Sequence, residues 1–146
     1  MKVRTHSISR VINTDIETLY KVVSDFNNYR NWNTIIPVAK GVLVVGTELQ
    51  LTLNIDGKTK SFNPKVLSVF PNKSFLLSKT LLSRNILELT HLFEFKPQTD
   101  YKTEFIQTWK GQGILTKMLW EKIKNGFSSF EMFNDDIAKY INEQEK

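Results

Sequence analysis

The sequence predicts an α+β fold in which a curved antiparallel β-sheet wraps around a long C-terminal α-helix. Apolar residues recur at helical spacing after a short first strand. They alternate with polar residues from about residue 40 to about residue 110, and they return to helical spacing near the C-terminus. A sheet and an amphipathic helix each carry one apolar face, so packing them together buries both. A chain of 146 residues is the length of one domain, and we predict one domain spanning residues 1–146.

One strand and two short helical segments are predicted for the N-terminal part. Residues 3–12 alternate loosely between apolar and polar and indicate a strand, and residues 16–25 repeat apolar side chains at helical spacing. The segment DFNNYRNWNTIIP, residues 25–37, then combines aromatic residues and isoleucines with asparagines and a proline. Asparagine and proline favour turns, so we expect a loop or one short helical turn whose apolar side chains cover part of the interior.

The central region predicts a series of antiparallel strands. Alternation from Leu49 to Ile55 indicates a half-buried strand that ends at Asp56–Gly57, a dipeptide typical of tight hairpins with positive φ. A return strand is predicted from about residue 58 to residue 70, with Pro64 indicating an edge position or a bulge. Further strands are predicted at residues 74–81, 86–95 and 101–109.

The last part of the chain predicts one long amphipathic helix. After Gly113, apolar residues recur at three- and four-residue steps and form a single stripe. Asn125–Gly126 is expected to weaken the middle of this helix, since glycine costs about 1 kcal/mol relative to alanine in a helix.

Two polar residues are predicted to project into the apolar interior. The odd positions of the strands at 86–95 and 101–109 carry the large apolar side chains, so the odd faces should point inward, together with His91 and Gln107. Buried polar groups need a partner from the protein, water or a ligand. Two interpretations stay open for each: a core side chain satisfied by its neighbours, or an orienting group for a bound molecule.

Composition and motifs exclude several classes of site. The chain has no cysteine, which rules out disulfides, thiolate metal sites and a cysteine nucleophile. The two histidines, His6 and His91, have no carboxylate at a paired spacing, so neither a metal nor another cofactor is expected. There is no serine-elbow pattern and no phosphate-binding glycine loop. No inward-facing carboxylate accompanies His91, which weighs against acid–base catalysis.

The charge pattern predicts neither a nucleic-acid partner nor a membrane span. The net charge is +5, but the lysines are scattered and form no basic block. The N-terminus lacks the apolar run of a signal peptide, and no stretch reaches the ~18 apolar residues of a membrane span. We therefore expect a cytoplasmic protein without stable membrane insertion. Transient contact with an anionic membrane surface stays open, as does the choice between monomer and homodimer.

The order of elements and several short motifs resemble the START-like (SRPBCC) superfamily of helix-grip proteins, in particular its polyketide cyclase/dehydrase and lipid-transport group. The resemblance is carried by Trp32, Asn33, Pro37, Gly46 and the strand Leu49–Leu53, and later by His91–Phe95, Thr103 and Trp109–Gly111. The chain departs from the pattern in having Asn-Thr after the tryptophan and a short break at residues 83–85.

This resemblance implies a single START-like helix-grip domain with a deep apolar cavity between the sheet and the C-terminal helix, and with the loop after the first helix near its mouth. Combined with the inner faces, it predicts a set of ligand-contacting residues. They are Trp32, Ile36, Leu51, Leu53, Phe75, Leu77, Leu89, His91, Phe93, Phe105, Gln107, Trp109, Leu119, Ile123 and Phe130.

Three functions agree with this picture, and we favour the first. The protein binds a hydrophobic small molecule such as a lipid, quinone or polyketide, for transport or sequestration, without catalysis. Alternatively, it is a cyclase- or aromatase-type enzyme that uses His91 as acid or base, or an interaction protein similar to the chaperone-ATPase activators. The inner face supports the first, because it is apolar with few polar groups.

Overall fold

The structure of the protein, a computed structural model, describes residues 3–145 and has the predicted helix-grip architecture. The strands are β1 Arg4–Ile12, β2 Val38–Lys40, β3 Gln50–Ile55, β4 Lys58–Phe62, β5 Lys65–Phe70, β6 Ser74–Leu81, β7 Leu87–Thr99 and β8 Lys102–Gln112. The helices are α1 Ile16–Ser24, a 3-10 helix Phe26–Asn31, α2 Ile114–Ser128 and α3 Glu131–Gln144. Within residues 3–145, no helix is both long enough and apolar enough to cross a bilayer.

The strands form two antiparallel sheets that continue one another. A five-stranded sheet has the order β1-β8-β7-β6-β5, and a three-stranded sheet has the order β2-β3-β4. Backbone hydrogen bonds connect the two: Val66 N–H donates to the carbonyl of Thr47 at 2.9 Å, and Leu49 N–H donates to the carbonyl of Pro64 at 2.9 Å. The result is a curved surface that closes around the helices.

The return strand predicted at residues 58–70 is two strands, and in this respect the prediction was wrong. The chain leaves the small sheet after Phe62 and enters the large sheet at Lys65. Pro64 lies at the crossing point, where it has no N–H to donate to a ladder and uses only its carbonyl. The turn before β4 is as predicted, since Asp56 and Gly57 have φ values of 54° and 77°.

The long C-terminal helix is interrupted at Ser129–Phe130 and not at Asn125–Gly126. Ser129 N–H donates to the carbonyl of Gly126 at 3.2 Å, and Phe130 N–H donates to that of Phe127 at 2.9 Å. These three-residue steps tighten the backbone into a 3-10-like turn, which α2 and α3 flank. Phe127, before the tightened turn, and Phe130, within it, are both buried against the sheet.

The interior has two parts with different packing. Under α1 and α3, aromatic rings fill the space between helices and sheet: Phe75 stacks on Phe93 at 4.4 Å between centroids, and Phe105 stacks on Phe133 at 5.8 Å. Phe75, Phe105 and Phe133 are fully buried. Under α2 the sheet curves away and encloses a cavity.

Candidate ligand-binding site

A cavity of about 460 Å³ lies between α2, the β3–β4 hairpin and strands β6 to β8. Its volume falls in the range of roughly 300–1,000 Å³ that is usual for small-molecule pockets. Most of its walls are aliphatic and aromatic side chains. The cavity therefore has the size and the surface of a site for an apolar molecule.

The apolar composition of the wall follows from the periodicity with which strands and helices direct their side chains to one face. Alternate residues of β7, Leu89, His91 and Phe93, face the same side of the sheet and line the cavity. On α2, Leu119 and Ile123 are four residues apart and cover it from above. Strand and helix periods thus direct apolar side chains from both layers into one space.

His91 is held between two aromatic rings. Its imidazole stacks on Phe93, with ring centroids 3.9 Å apart, and on Trp109, its partner on β8, at 4.4 Å. Phe130 meets the ring edge-on at 5.5 Å. These contacts fix the plane of the imidazole in the cavity wall.

A chain of hydrogen bonds links His91 to the solid part of the core. Gln107 Nε2 donates to Asn134 Oδ1 at 3.0 Å, and Gln107 Oε1 lies 2.9 Å from His91 Nε2. Since the oxygen of Gln107 faces the imidazole, Nε2 of His91 carries the proton and donates it. Gln107 and Asn134 are fully buried, while His91 keeps accessible surface on the cavity side. The three polar residues mark the border between core and cavity.

The remaining nitrogen of the ring is available to a ligand. No described residue forms a hydrogen bond with Nδ1 of His91. This nitrogen is also absent from the fully buried atoms without a partner, so it keeps some accessible surface. Burial lowers the pKa of His91 to about 3, and the hydrogen bond to Gln107 opposes this shift only in part. At neutral pH the ring is uncharged, and Nδ1 is a hydrogen-bond acceptor that faces the cavity.

The charged residues of the wall are all lysines. Lys60, Lys79 and Lys122 line the cavity, and no Asp or Glu of residues 3–145 does so. All three are exposed, so they lie where the cavity meets solvent. We call them the rim lysines.

The structure places most of the predicted site residues around the cavity. From the N-terminal part and the strands these are Ile36, Leu51, Leu53, Leu77, Leu89 and His91. From the later strands and helix α2 with its following turn they are Phe93, Trp109, Leu119, Ile123 and Phe130.

The other predicted residues, Trp32, Phe75, Phe105 and Gln107, do not line the cavity. Phe75, Phe105 and Gln107 face inward as predicted, but helices α1 and α3 cover that part of the sheet and leave no space there. Trp32 packs on Tyr29 at 4.9 Å and stands edge-on to Phe133 at 5.3 Å, in the solid core.

The segment 25–37 is anchored to α3 and reaches the cavity with one residue. Asp136 Oδ2 accepts hydrogen bonds from the backbone N–H and the hydroxyl of Thr34, at 2.8 and 2.7 Å. Asn33 Oδ1 accepts from the N–H groups of Ile35 and Ile36, at 3.0 and 2.7 Å, and bends the chain. Ile35 is buried in the core, and Ile36 lines the cavity.

Several lining residues were not predicted from the sequence. They include Ile55, Phe62, Phe127, Gly126 and the rim lysines. Ile55 belongs to the alternating pattern of β3, so its position in the wall could have been predicted from that alternation. The sequence did not distinguish the rim lysines, since exposed lysines are common on any solvated face of a strand or helix. No group of three or more His, Asp or Glu residues in the described range is arranged to hold a metal ion.

Comparisons with known proteins agree with this architecture. No protein-family profile matches the chain, and no curated protein matches it either. Among solved structures, several align along nearly the whole chain, including the following three. A START superfamily protein from Mycobacterium smegmatis is 17% identical, covers 96% of this chain and 98% of its own, and has a TM-score of 0.70.

A point mutant of norcoclaurine synthase from Thalictrum flavum, in complex with a transition-state analogue, is 12% identical over 99% of this chain and 98% of its own, with a TM-score of 0.76. Ara h 8.0201 is 17% identical over 97% and 99%, with a TM-score of 0.64. Identities this low establish a shared fold and not a shared activity. The chain has the START-like helix-grip fold that its motifs predicted.

Proposed function

We propose that the protein binds a hydrophobic small molecule, such as a lipid, quinone or polyketide-type compound, in the cavity under α2. The observation that carries this proposal is the composition of the wall. It is apolar over most of its surface. Besides the hydroxyl residues Ser78 and Thr90, it has a neutral acceptor, His91 Nδ1, whose ring is held in a fixed orientation. Such a wall favours the binding of an apolar ligand that carries a polar group opposite His91 Nδ1.

The driving force is the removal of apolar ligand surface from water. Burying about 300 Å² of such surface contributes roughly 7.5 kcal/mol before the entropy cost of association is subtracted. Nδ1 of His91 adds orientation, since a ligand hydroxyl placed against it keeps a hydrogen-bond partner. A ligand that is apolar at that point leaves the acceptor unpaired, and this lowers its affinity.

A cyclase-type enzyme is the second candidate, because norcoclaurine synthase has this fold. Acid–base catalysis near neutral pH needs a group whose pKa lies near the working pH. The pKa of His91 is about 3, and no carboxylate of the described residues lines the cavity beside it. The site is therefore better suited to binding than to proton transfer.

Probe binding with two matched tryptophan variants tests the proposal. Nile red, an uncharged apolar dye, is titrated into the parent, Leu53→Trp and Leu67→Trp. Leu53 lines the cavity, while Leu67 lies on β5 with 42% of its surface exposed and does not line it. We expect the parent and Leu67→Trp to bind alike and Leu53→Trp to bind at least tenfold more weakly. No binding by the parent, or equal binding by all three, would overturn the proposal.

A further inference from the structure

We propose that the ligand of this cavity is an anionic amphiphile, with its negative group at the rim lysines and its mainly apolar chain inside, where a hydroxyl on the chain would meet His91. This inference rests on the proposed function and narrows it to a chemical class. The class comprises single-chain molecules that end in a carboxylate, a sulfate or a phosphate monoester. The site is defined by Lys60 of β4, Lys79 of β6 and Lys122 of α2.

Each rim lysine lies beside an apolar residue of the wall. Lys60 pairs with Leu53 across the β3–β4 hairpin, and Lys79 pairs with Leu89 between β6 and β7. Lys122 precedes Ile123 on α2. Leu53, Leu89 and Ile123 all line the cavity. Three different elements therefore each place a cation next to the apolar surface at the opening.

No rim lysine forms an ion pair with a carboxylate of residues 3–145, although Glu48 and Glu88 share a shallow surface pocket with Lys79. The ion pairs of the described chain involve Arg10 and Arg84, and none involves a rim lysine. The ammonium group of Lys79 lies 3.4 Å from the backbone carbonyl of Asn63, which does not remove its charge. Glu121 is next to Lys122 in sequence but about 100° away around the helix, and it does not line the cavity.

The positive charge is confined to the opening. His91 is neutral at physiological pH because its pKa is about 3, so the inner wall carries no charge. Cations beside a low-dielectric wall focus their field on the opening and attract an anion there. Lysine is a flexible point charge that does not impose a bidentate geometry. The rim therefore selects for negative charge rather than for one particular anionic group.

The test compares three ligands with the same ten-carbon chain: decyl sulfate, decanol and decyltrimethylammonium. Their affinities are measured by calorimetry, below the micellar range and at low salt, for the parent and two variants. The rim variant is Lys60→Gln, Lys79→Gln and Lys122→Gln combined. The control is Lys73→Gln, Lys96→Gln and Lys139→Gln combined. It makes the same change in net charge at exposed lysines that do not line the cavity.

We expect the parent and the control to bind decyl sulfate about tenfold more tightly than decanol, since three exposed ion pairs each contribute a small factor. The rim variant should lose this preference and keep its affinity for decanol within about twofold. A charge-reversed variant with glutamate at the same three positions should prefer decyltrimethylammonium.

Two results would overturn the inference: equal affinity of the parent for decyl sulfate and decanol, or an equal loss in the rim variant and the control. Both leave the proposed function standing if decanol binds. Absence of decanol binding by the parent contradicts the proposed function itself, so the two failures are distinguishable.

Discussion

The amide nitrogen of Gln107 donates a hydrogen bond to Asn134 Oδ1 at 3.0 Å, and through this bond α3 controls the imidazole that faces the cavity. With its nitrogen engaged, Gln107 can offer only its oxygen to His91. The proton of the ring is therefore held on the side of the core, and the acceptor is held on the side of the ligand.

Replacement of Gln107 by leucine should destabilise the protein. The variant leaves His91 Nε2 and Asn134 Oδ1 without partners in a buried region, so the free energy of unfolding should fall by about 2–4 kcal/mol. Urea denaturation measures this. The control is Gln112→Leu, whose bond to Glu88 is only partly buried and whose loss should be below about 1 kcal/mol. Similar losses in the two variants would contradict the role of the buried chain.

Stability should decrease in mildly acidic solution because of His91. Its folded-state pKa of about 3 lies below the usual value near 6.5, so between these values the unfolded chain binds a proton that the folded protein does not. The part of the unfolding free energy that depends on a neutral His91 is fully present above pH 6.5 and is lost as the pH falls towards 3. From pH 6.5 to pH 5 the loss should be about 2 kcal/mol.

The variant His91→Phe isolates this effect, since its ring fills the same place between Phe93 and Trp109 without titrating. Urea denaturation of parent and variant at several pH values gives the difference between their unfolding free energies. We expect that difference to change by about 2 kcal/mol from pH 6.5 to pH 5. A difference that stays constant over this range would show that the imidazole titrates normally.

Substitution of Gly126 should separate stability from binding. This glycine is inside α2 and lines the cavity, and an added Cβ would meet only Ile55 Cδ1, at 3.9 Å. Gly126→Ala should raise the unfolding free energy by about 0.5–1 kcal/mol, because alanine is the better helix former and there is room for it. Gly126→Phe should project its ring into the cavity and reduce Nile red affinity at least tenfold. Tight dye binding by Gly126→Phe would place the ligand elsewhere.

Trp32→Phe should affect stability and leave binding unchanged. The tryptophan is 8% exposed and packs among Tyr29, Phe133 and Tyr140, outside the cavity wall. We expect a loss of about 1–2 kcal/mol, as for other reductions in size in a packed core. Nile red affinity should match that of the parent. A clear drop in affinity with unchanged stability would instead support the sequence-based prediction that Trp32 contacts the ligand.

The sequence predicted the residues of the cavity wall better than the extent of the cavity. Alternation assigned His91 and Gln107 to the inner face, and both do face inward. It could not show that α3 covers Gln107 while the space beside His91 stays open. That difference depends on where the helices cross the sheet, which involves contacts between residues far apart in the chain.

The same limit explains the two local errors. Pro64 was recognised as a residue that disturbs a strand, but the sequence could not show that the chain changes sheets there. Gly126 was expected to weaken the C-terminal helix, yet the helix continues through it and tightens at Phe130, where a buried aromatic side chain meets the sheet. Tertiary packing outweighed local propensity in both cases.

Strand β4, which carries Lys60, is an edge strand of the three-stranded sheet, so this lysine has a second effect. The free edge of a β-sheet is a template to which another polypeptide can add, and charged side chains along such an edge oppose that addition. The ammonium group of Lys60, which we propose binds the negative group of the ligand, thus also opposes self-association. Glutamine at position 60 would remove both the charge that binds the anion and the charge that opposes strand addition. The rim variant should therefore aggregate more readily than the control, and light scattering would detect this.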